Sequence, residues 1–183
     1  YIRACGGVTG GISDVGIFDP NDFDFTQAAP VAGVAQPYTA VALRAGATAA
    51  TGAKVFLISF TEEEAEWTWK QSVKGCAVKY DHEVKLQLPE NSQGLTTFLQ
   101  SLDAAGCCCG LGIFIRLNSG KVFVAGEKYV NATAITRFKM KQDGSDGTSG
   151  KLMDDLNGGN LLLKGSYSRN LYEFTGGWDD VEA

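Results

Sequence analysis

The chain has few of the residues on which enzymes, membrane spans and nucleic-acid-binding proteins depend. It has one histidine among its 183 residues, and no GxSxG nucleophile motif accompanies that histidine. Lys and Arg number 16 against 21 for Asp and Glu, a formal net charge of −5, which argues against a protein that grips nucleic acid through bulk positive charge. No stretch reaches the roughly 18 consecutive apolar residues of a transmembrane helix, so no membrane span is expected.

The cysteines are too poorly arranged for a disulfide framework or a metal site. They are five in number, three of them are adjacent, and no CxxC spacing occurs. We interpret them as reduced thiols, with the adjacent three acting as small buried hydrophobes at the end of a helix. The five are Cys5, Cys76, Cys107, Cys108 and Cys109.

The single histidine, His82, is predicted to lie on the apolar face of a strand, between two acidic residues that point the other way. A catalytic histidine needs a nucleophile and an orienting carboxylate within hydrogen-bond reach. A pair between His82 and Cys76 or one of Cys107–Cys109 stays open as an alternative, although nothing favours it. The polar stretch Asp143–Asn157 lacks the spacing of an EF-hand loop. No catalytic, metal or cofactor residue is predicted, and the chain is not expected to be an enzyme.

Glycine, in contrast, is abundant: the 23 glycines are about 13% of the 183 residues, against an average share of roughly 7%. This abundance favours a turn-rich, mainly β fold over a helical bundle. The first 53 residues are the least regular and contain one short predicted strand, Val15–Phe18. They predict an extended N-terminal arm and loop region over residues 1–53, followed by a β-sandwich domain over residues 54–176 and an exposed acidic tail over residues 177–183.

The strongest pattern predicts a long β-hairpin. After a strand-like run at Lys54–Phe60, apolar and polar residues alternate with period two as far as Val73, and again from Val78 to Leu88. Lys74-Gly75 supplies the turn. At about 3.3 Å per residue, the segment from Cys76 to Leu88 could reach roughly 43 Å, beyond an ordinary strand. A hairpin this long is expected to overhang its own domain and to need a partner sheet, most simply from an adjacent copy.

One helix and several shorter strands complete the predicted fold. Leu95, Phe98, Leu99 and Leu102 form one apolar stripe, which predicts a helix over Asn91–Ala105 lying against a sheet. Residues 142–150 are polar and glycine-rich and are expected to form a flexible loop. The predicted fold class is therefore a mainly β sandwich with a long hairpin and one flanking helix. The further strands are predicted at Leu111–Leu117, Lys121–Ala125, Ala134–Lys141, Gly159–Tyr167 and Leu171–Phe174.

This arrangement resembles the phage tail tube protein family. The resemblance rests on the long strands within Val55–Leu88, the helix at Ser92–Ala105 and the strands within Gly110–Phe174. It implies subunits that form rings, usually hexameric, which stack into a hollow tube for the delivery of viral DNA. It also implies a location in the virion after assembly in the host cytoplasm. The implied partners are further copies of the chain, other tail proteins and viral DNA that passes without specific binding.

In such a tube the hairpin joins those of adjacent copies, and its two faces have different roles. Residues 1–53 would be the arm, and residues 142–150 the loop, that reach a neighbouring ring. The candidate lumen-facing residues are Glu62, Glu64, Glu66, Lys79, Asp81, Glu83 and Lys85. The candidate inter-subunit residues are Trp67, Trp69, Val78, Tyr80, Val84, Asp143, Ser145 and Asp146. The alternatives are another phage structural protein, namely a capsid-decoration or head–tail joining component, and a small Cys/His enzyme.

Overall fold

A computed structural model describes residues 11–29, 31, 34–47, 54–61, 65–89, 93–108, 110–135, 140–148 and 158–182. These residues form thirteen strands and two helices. The first six strands are β1 (Ile12–Phe18), β2 (Phe23–Gln27), β3 (Tyr38–Leu43), β4 (Phe56–Ile58), β5 (Glu66–Lys74) and β6 (Ala77–Pro89). Helix α1 (Gln93–Cys108) follows, and then β7 (Gly112–Leu117), β8 (Val122–Ala125), β9 (Tyr129–Val130), β10 (Thr133–Ala134), β11 (Lys141–Thr148), β12 (Gly158–Tyr167), β13 (Tyr172–Phe174) and α2 (Asp179–Glu182).

The strands form two sheets. A nine-stranded sheet has the order β10-β9-β2-β3-β13-β8-β7-β1-β4, and a four-stranded sheet has the order β11-β12-β6-β5. The four-stranded sheet is antiparallel throughout, whereas the larger sheet contains two short parallel pairs, β2–β9 and β3–β13. The prediction of a mainly β fold is confirmed.

Strand β7 shows why two hydrophobic cores form. Its side chains alternate across the nine-stranded sheet, so that Ile113 and Ile115 face one way and Phe114 the other. Ile113 and Ile115 belong to a core between the two sheets, which also contains Leu86 of β6, Leu163 of β12 and Leu102 of α1. Both faces of the central strands are therefore buried.

The second core is aromatic and is built largely from the N-terminal region. Phe18, Phe25 and Tyr38 are each at most 1% exposed, and the ring of Phe18 lies 4.9 Å from that of Phe114. The prediction of an extended arm is therefore wrong for the described part of residues 1–53, which contributes β1, β2 and β3 to the nine-stranded sheet. The N-terminal region has few large side chains, but their burial stabilises the sheet, since each buried aromatic ring withdraws a large apolar area from water.

Two further sequence predictions are corrected by burial and pairing. The acidic tail is not simply exposed, because Trp178 and Val181 are buried in the aromatic core and carry α2 onto it. Residues 142–150 were expected to be a flexible loop, but β11 extends to Thr148 and pairs with β12. Backbone hydrogen bonding to a neighbouring strand overrides the low β propensity of these polar residues. The predicted strand Ala134–Lys141 falls partly on residues 136–139, which lie outside the described residues.

Gly126 allows a close approach between β7 and β8. Its φ is +82°, and a Cβ atom at this position would lie 2.3 Å from the backbone oxygen of Leu111. The next residue, Glu127, is 6% exposed and accepts a hydrogen bond of 2.8 Å from the hydroxyl of Tyr38. Arg169 also donates to this carboxylate and stacks its guanidinium on the ring of Tyr172, 3.6 Å from the centroid. Gly126 therefore places the carboxylate that ties the β12–β13 connection to β3.

We predict that Gly126→Ala destabilises the fold much more than Gly120→Ala. Gly120 has nearly the same φ, +81°, but a Cβ there meets nothing within 4 Å. Gly120→Ala should lower the free energy of unfolding by about 1 kcal/mol, the usual penalty for a left-handed non-glycine residue. Gly126→Ala adds a clash with backbone and should lower it by more than about 3 kcal/mol. Urea unfolding of both variants tests this, and equal losses would contradict it.

Candidate functional site

The β5–β6 hairpin is the element that extends beyond the sandwich. Its ladder runs from Glu66 paired with Lys85 to Lys74 paired with Ala77, and Gly75 with φ +63° supplies the turn. Strand β12 pairs with β6 only as far as Tyr80. The last part of the hairpin therefore consists of two strands alone, which confirms the predicted overhang at the level of strand pairing.

Strand β5 is also an open edge. It pairs with β6 on one side, and it ends the strand order of the four-stranded sheet, with β11 at the other end. Every residue of β5 except the half-buried Trp67 is exposed. An exposed edge strand presents unpaired N–H and C=O groups and is a template for another strand. Among the described residues no further strand of the chain pairs with it.

One face of the overhang is mainly apolar, although Gln71 also lies on it. Trp67 and Val84 are cross-strand partners and point toward the core between the sheets, and the same face continues outward with Trp69, Val73 and Val78. These three side chains are 50%, 64% and 37% exposed, respectively. With Tyr80, whose ring lies 6.0 Å from that of Trp69, they form what we call the apolar strip. The face that covers the core thus continues past the edge of the opposing sheet.

The other face of the four-stranded sheet, which we call the charged face, carries acidic and basic residues in opposition. In β5 and β6, Glu66 lies opposite Lys85 and Lys70 lies opposite Asp81. In β6 and β12, Glu83 lies opposite Lys164. Such cross-strand pairs of opposite charge favour the observed register, because a shift of one residue would place these side chains on the core face.

Three ion pairs lie on this face, one within β6 and two that link β12 to β6 and to β11. Lys79 Nζ lies 2.8 Å from Asp81 Oδ1, and Lys164 Nζ lies 2.8 Å from Asp143 Oδ2 and 3.3 Å from Glu83 Oε2. The hydrogen bonds from Lys79 and Ser166 hold the pKa of Asp81 below its usual range. Hydrogen bonds to Asp143 and Glu83 raise the pKa of Lys164. Both groups are therefore charged at neutral pH.

His82 joins the hairpin to the sandwich at the point where the overhang begins. It is 1% exposed, its Nδ1 accepts a hydrogen bond of 3.2 Å from Trp67 Nε1, and its ring meets that of Tyr167 edge-on at 5.2 Å. Trp67 in turn packs on Phe123 of the nine-stranded sheet, with ring centroids 5.0 Å apart. Burial lowers the pKa of His82 to about 4, so its ring is neutral at neutral pH.

The alternative of a cysteine–histidine pair gains no support from this geometry. Cys76 lies in the exposed turn at the tip of the hairpin, six residues before His82 on an extended strand, or about 20 Å away. The side chains of Cys107 and Cys108, and all of Cys109, lie outside what the structure describes. No group of three or more His, Cys, Asp or Glu residues that could hold a metal ion occurs among the described residues.

Most of the predicted lumen-facing residues share one surface. Glu66, Lys79, Asp81, Glu83 and Lys85 all lie on the charged face, while Glu62 and Glu64 lie outside the described residues. The sequence reasoning missed Lys70, Lys74, Lys141, Lys164 and Ser166, which also lie on this face. The alternation in β12 was a usable signal for two of them, but their partners Glu83 and Asp81 are some eighty positions earlier in the chain.

The predicted inter-subunit residues divide into three groups. Trp69, Val78 and Tyr80 belong to the apolar strip, and Asp143, Ser145 and Asp146 lie on the edge strand β11, where the side chain of Asp146 lies outside the description. Trp67 is half-buried and packs mainly within the chain. Val84 is corrected: it is 0% exposed and belongs to the core between the sheets, so it presents no surface to another copy.

Comparisons with protein-family models, with curated proteins and with solved structures found no match to this chain. In the part of the chain that the structure describes, neither helix has the length and apolar character needed to cross a membrane.

We predict that His82 makes the fold sensitive to acid. The unfolded chain binds a proton at this ring near pH 6.5 and the folded chain only near pH 4. Between these values the unfolded state holds more protons, so the free energy of unfolding falls as the pH is lowered from about 6.5 to about 4. His82→Phe should remove this part of the pH dependence, as measured by urea unfolding at several pH values.

Trp67→Phe serves as the control for this experiment. It removes the donor to His82 Nδ1 but keeps the buried imidazole, so its stability should still decline over the same pH range. Curves for the wild type and His82→Phe that run parallel from pH 6.5 to 4 would show that burial of His82 does not govern the decline.

Proposed function

We propose that this chain is the subunit of a phage tail tube, in which copies close into rings and the rings stack into a hollow conduit for viral DNA. The observation that carries the proposal is the β5–β6 overhang, with an open edge strand and an exposed apolar strip on one element. In this proposal the protein belongs to the virion, assembles in the host cytoplasm and is not an enzyme. Other tail proteins close the ends of the tube.

The directions of the strands support edge-to-edge joining. Each neighbouring pair in the four-stranded sheet is antiparallel, so β5 and β11 run in opposite directions at the two edges. If β11 of one copy is placed beside β5 of the next, the ladder continues as an antiparallel sheet. The two edges have similar lengths, with nine residues in β5 and eight in β11. A head-to-tail contact of this kind closes into a ring without leaving an edge.

The two faces of the hairpin fit the same arrangement. The charged face points away from the nine-stranded sheet, so in a closed barrel with the sandwich on the outside it lines the lumen. The apolar strip then points outward, where the body of an adjacent subunit covers Trp69 and Val73. This placement removes from water side chains that are at least half exposed in the single chain.

Electron microscopy of the purified, negatively stained chain tests the proposal most directly. Hollow filaments or closed rings with a central hole are the expected result. A chain that stays monomeric at high concentration by light scattering would contradict it. Closed trimers without stacking would instead favour a capsid-decoration or head–tail joining protein.

We predict that Trp69→Lys combined with Val73→Lys prevents assembly without unfolding the subunit. Both side chains are at least half exposed, so the double variant should change the free energy of unfolding by no more than about 1 kcal/mol. Two buried, unpaired ammonium groups at the contact should raise the concentration needed for assembly by at least about tenfold. Sedimentation of assembled material against concentration measures this.

The matched control changes the same two positions but keeps them apolar, with Trp69→Tyr and Val73→Ile. This variant should assemble at nearly the concentration of the wild type. Assembly that is equally efficient with lysine at both positions would exclude the apolar strip from the contact between copies.

A further inference from the structure

We propose that Asp81, Glu83 and Asp143 act as built-in counterions for the lysines of the charged face, so that duplex DNA can move along this face without being held. The inference rests on the proposed function, since it concerns the surface that would line the tube. It assigns to these three carboxylates the role of keeping Lys79 and Lys164 from phosphate groups.

The geometry gives each of these two lysines a carboxylate of its own. Lys79 Nζ lies 2.8 Å from Asp81, and Lys164 Nζ lies between Asp143 at 2.8 Å and Glu83 at 3.3 Å. Asp81 is itself fixed by a hydrogen bond of 2.5 Å from the hydroxyl of Ser166. Each of the three carboxylates therefore contacts a side chain of β12, either Ser166 or Lys164.

The same opposition of unlike charges extends to β5. The register places Lys70 opposite Asp81 and Lys85 opposite Glu66. The described residues of the charged face include four acidic and six basic side chains, which are Glu66, Asp81, Glu83, Asp143, Lys70, Lys74, Lys79, Lys85, Lys141 and Lys164. The four carboxylates therefore offset most of the positive charge of this face, so that it attracts a polyanion far less than its lysines alone would.

A lysine in such a pair gains little from a phosphate. Binding of DNA draws its free energy largely from the release of condensed counterions when lysines neutralise phosphates. A lysine that already lies against a carboxylate has to give up that contact first, and the carboxylate is then left beside the phosphate. Removal of the carboxylates reverses this situation, because it leaves six lysines with Glu66 alone among the described residues of the charged face.

The lysines also have a structural role that explains their presence on a surface for DNA passage. The three carboxylates on β6 and β11, the two strands that flank β12, would repel each other if the face were purely acidic. Lys164 lies on β12 between these strands and contacts a carboxylate from each. The paired arrangement therefore stabilises the sheet while offsetting the charge of Lys79 and Lys164.

The test compares two triple variants of the full chain. Asp81→Asn, Glu83→Gln and Asp143→Asn together remove the proposed counterions. The control variant carries Asp14→Asn, Glu173→Gln and Asp179→Asn. It also removes three negative charges, but at positions outside the charged face. Two of its members come from exposed pairs with Arg116 at 3.2 Å and Lys121 at 3.0 Å. Thermal unfolding confirms that both variants are folded.

Binding of a fluorescent duplex of about 30 base pairs is measured by anisotropy at several salt concentrations, with protein that has not assembled. The charged-face variant should bind at least about tenfold more tightly than the control variant and the wild type at low salt. Its affinity should also fall more steeply with salt, by about two to three in the slope of log K against log salt. Addition of Lys79→Gln and Lys164→Gln to the charged-face variant should abolish the gain.

Two results would overturn the inference: equal affinities for the two triple variants, or a gain that survives loss of both lysines. Because the assay uses unassembled protein, its outcome is separate from that of the tube proposal. Absence of filaments together with a gain in DNA binding would refute the tube and leave the counterion role standing. Filaments together with no gain in DNA binding would support the tube and refute the counterion role.

Discussion

The packing of Trp67 between His82 and Phe123 determines where the hairpin leaves the body of the protein. Up to this point the four-stranded sheet is covered by the nine-stranded sheet, and its inward side chains are buried. Beyond it the same face continues without cover, which exposes Trp69 and Val73. The hydrophobic contact thus fixes both the base of the overhang and the apolar surface that remains for another molecule.

The two faces of the four-stranded sheet stabilise the strand register by different interactions. On the inward face burial sets the register, since a shift by one residue would exchange apolar and polar sides. On the outward face opposite charges lie across from one another and reinforce that register. The hairpin is therefore stiffened along its paired length, and the proposed lining of the tube needs no additional element to hold its side chains in place.

The hairpin could be predicted from the sequence because one of its faces is buried, and a half-buried strand alternates visibly. This argument located β5 and β6 to within a few residues and placed Asp81 and Glu83 on the outward face. It failed for β11, whose Gly, Asp and Ser residues pair through the backbone and show no pattern. It also failed for the N-terminal region, where Phe18, Phe25 and Tyr38 are separated by small and polar residues but meet in one core.

The charged face could be predicted only in part for a related reason. Alternation along one strand identifies side chains that share a face, but it does not identify the neighbouring strand. The contact of Lys164 with Glu83 joins positions 81 residues apart, and no local pattern reveals it. The burial of Trp178 likewise depends on the aromatic core, so the acidic residues around it gave a misleading impression of exposure.

The alternating directions in the four-stranded sheet have a geometric consequence for any wall made from it. Because each molecule contributes an even number of strands, its first and last strands are antiparallel. A closed wall made from any number of molecules then has no parallel seam. Strand pairing alone leaves the diameter of such a wall open, and tilt and stagger between neighbouring molecules determine it.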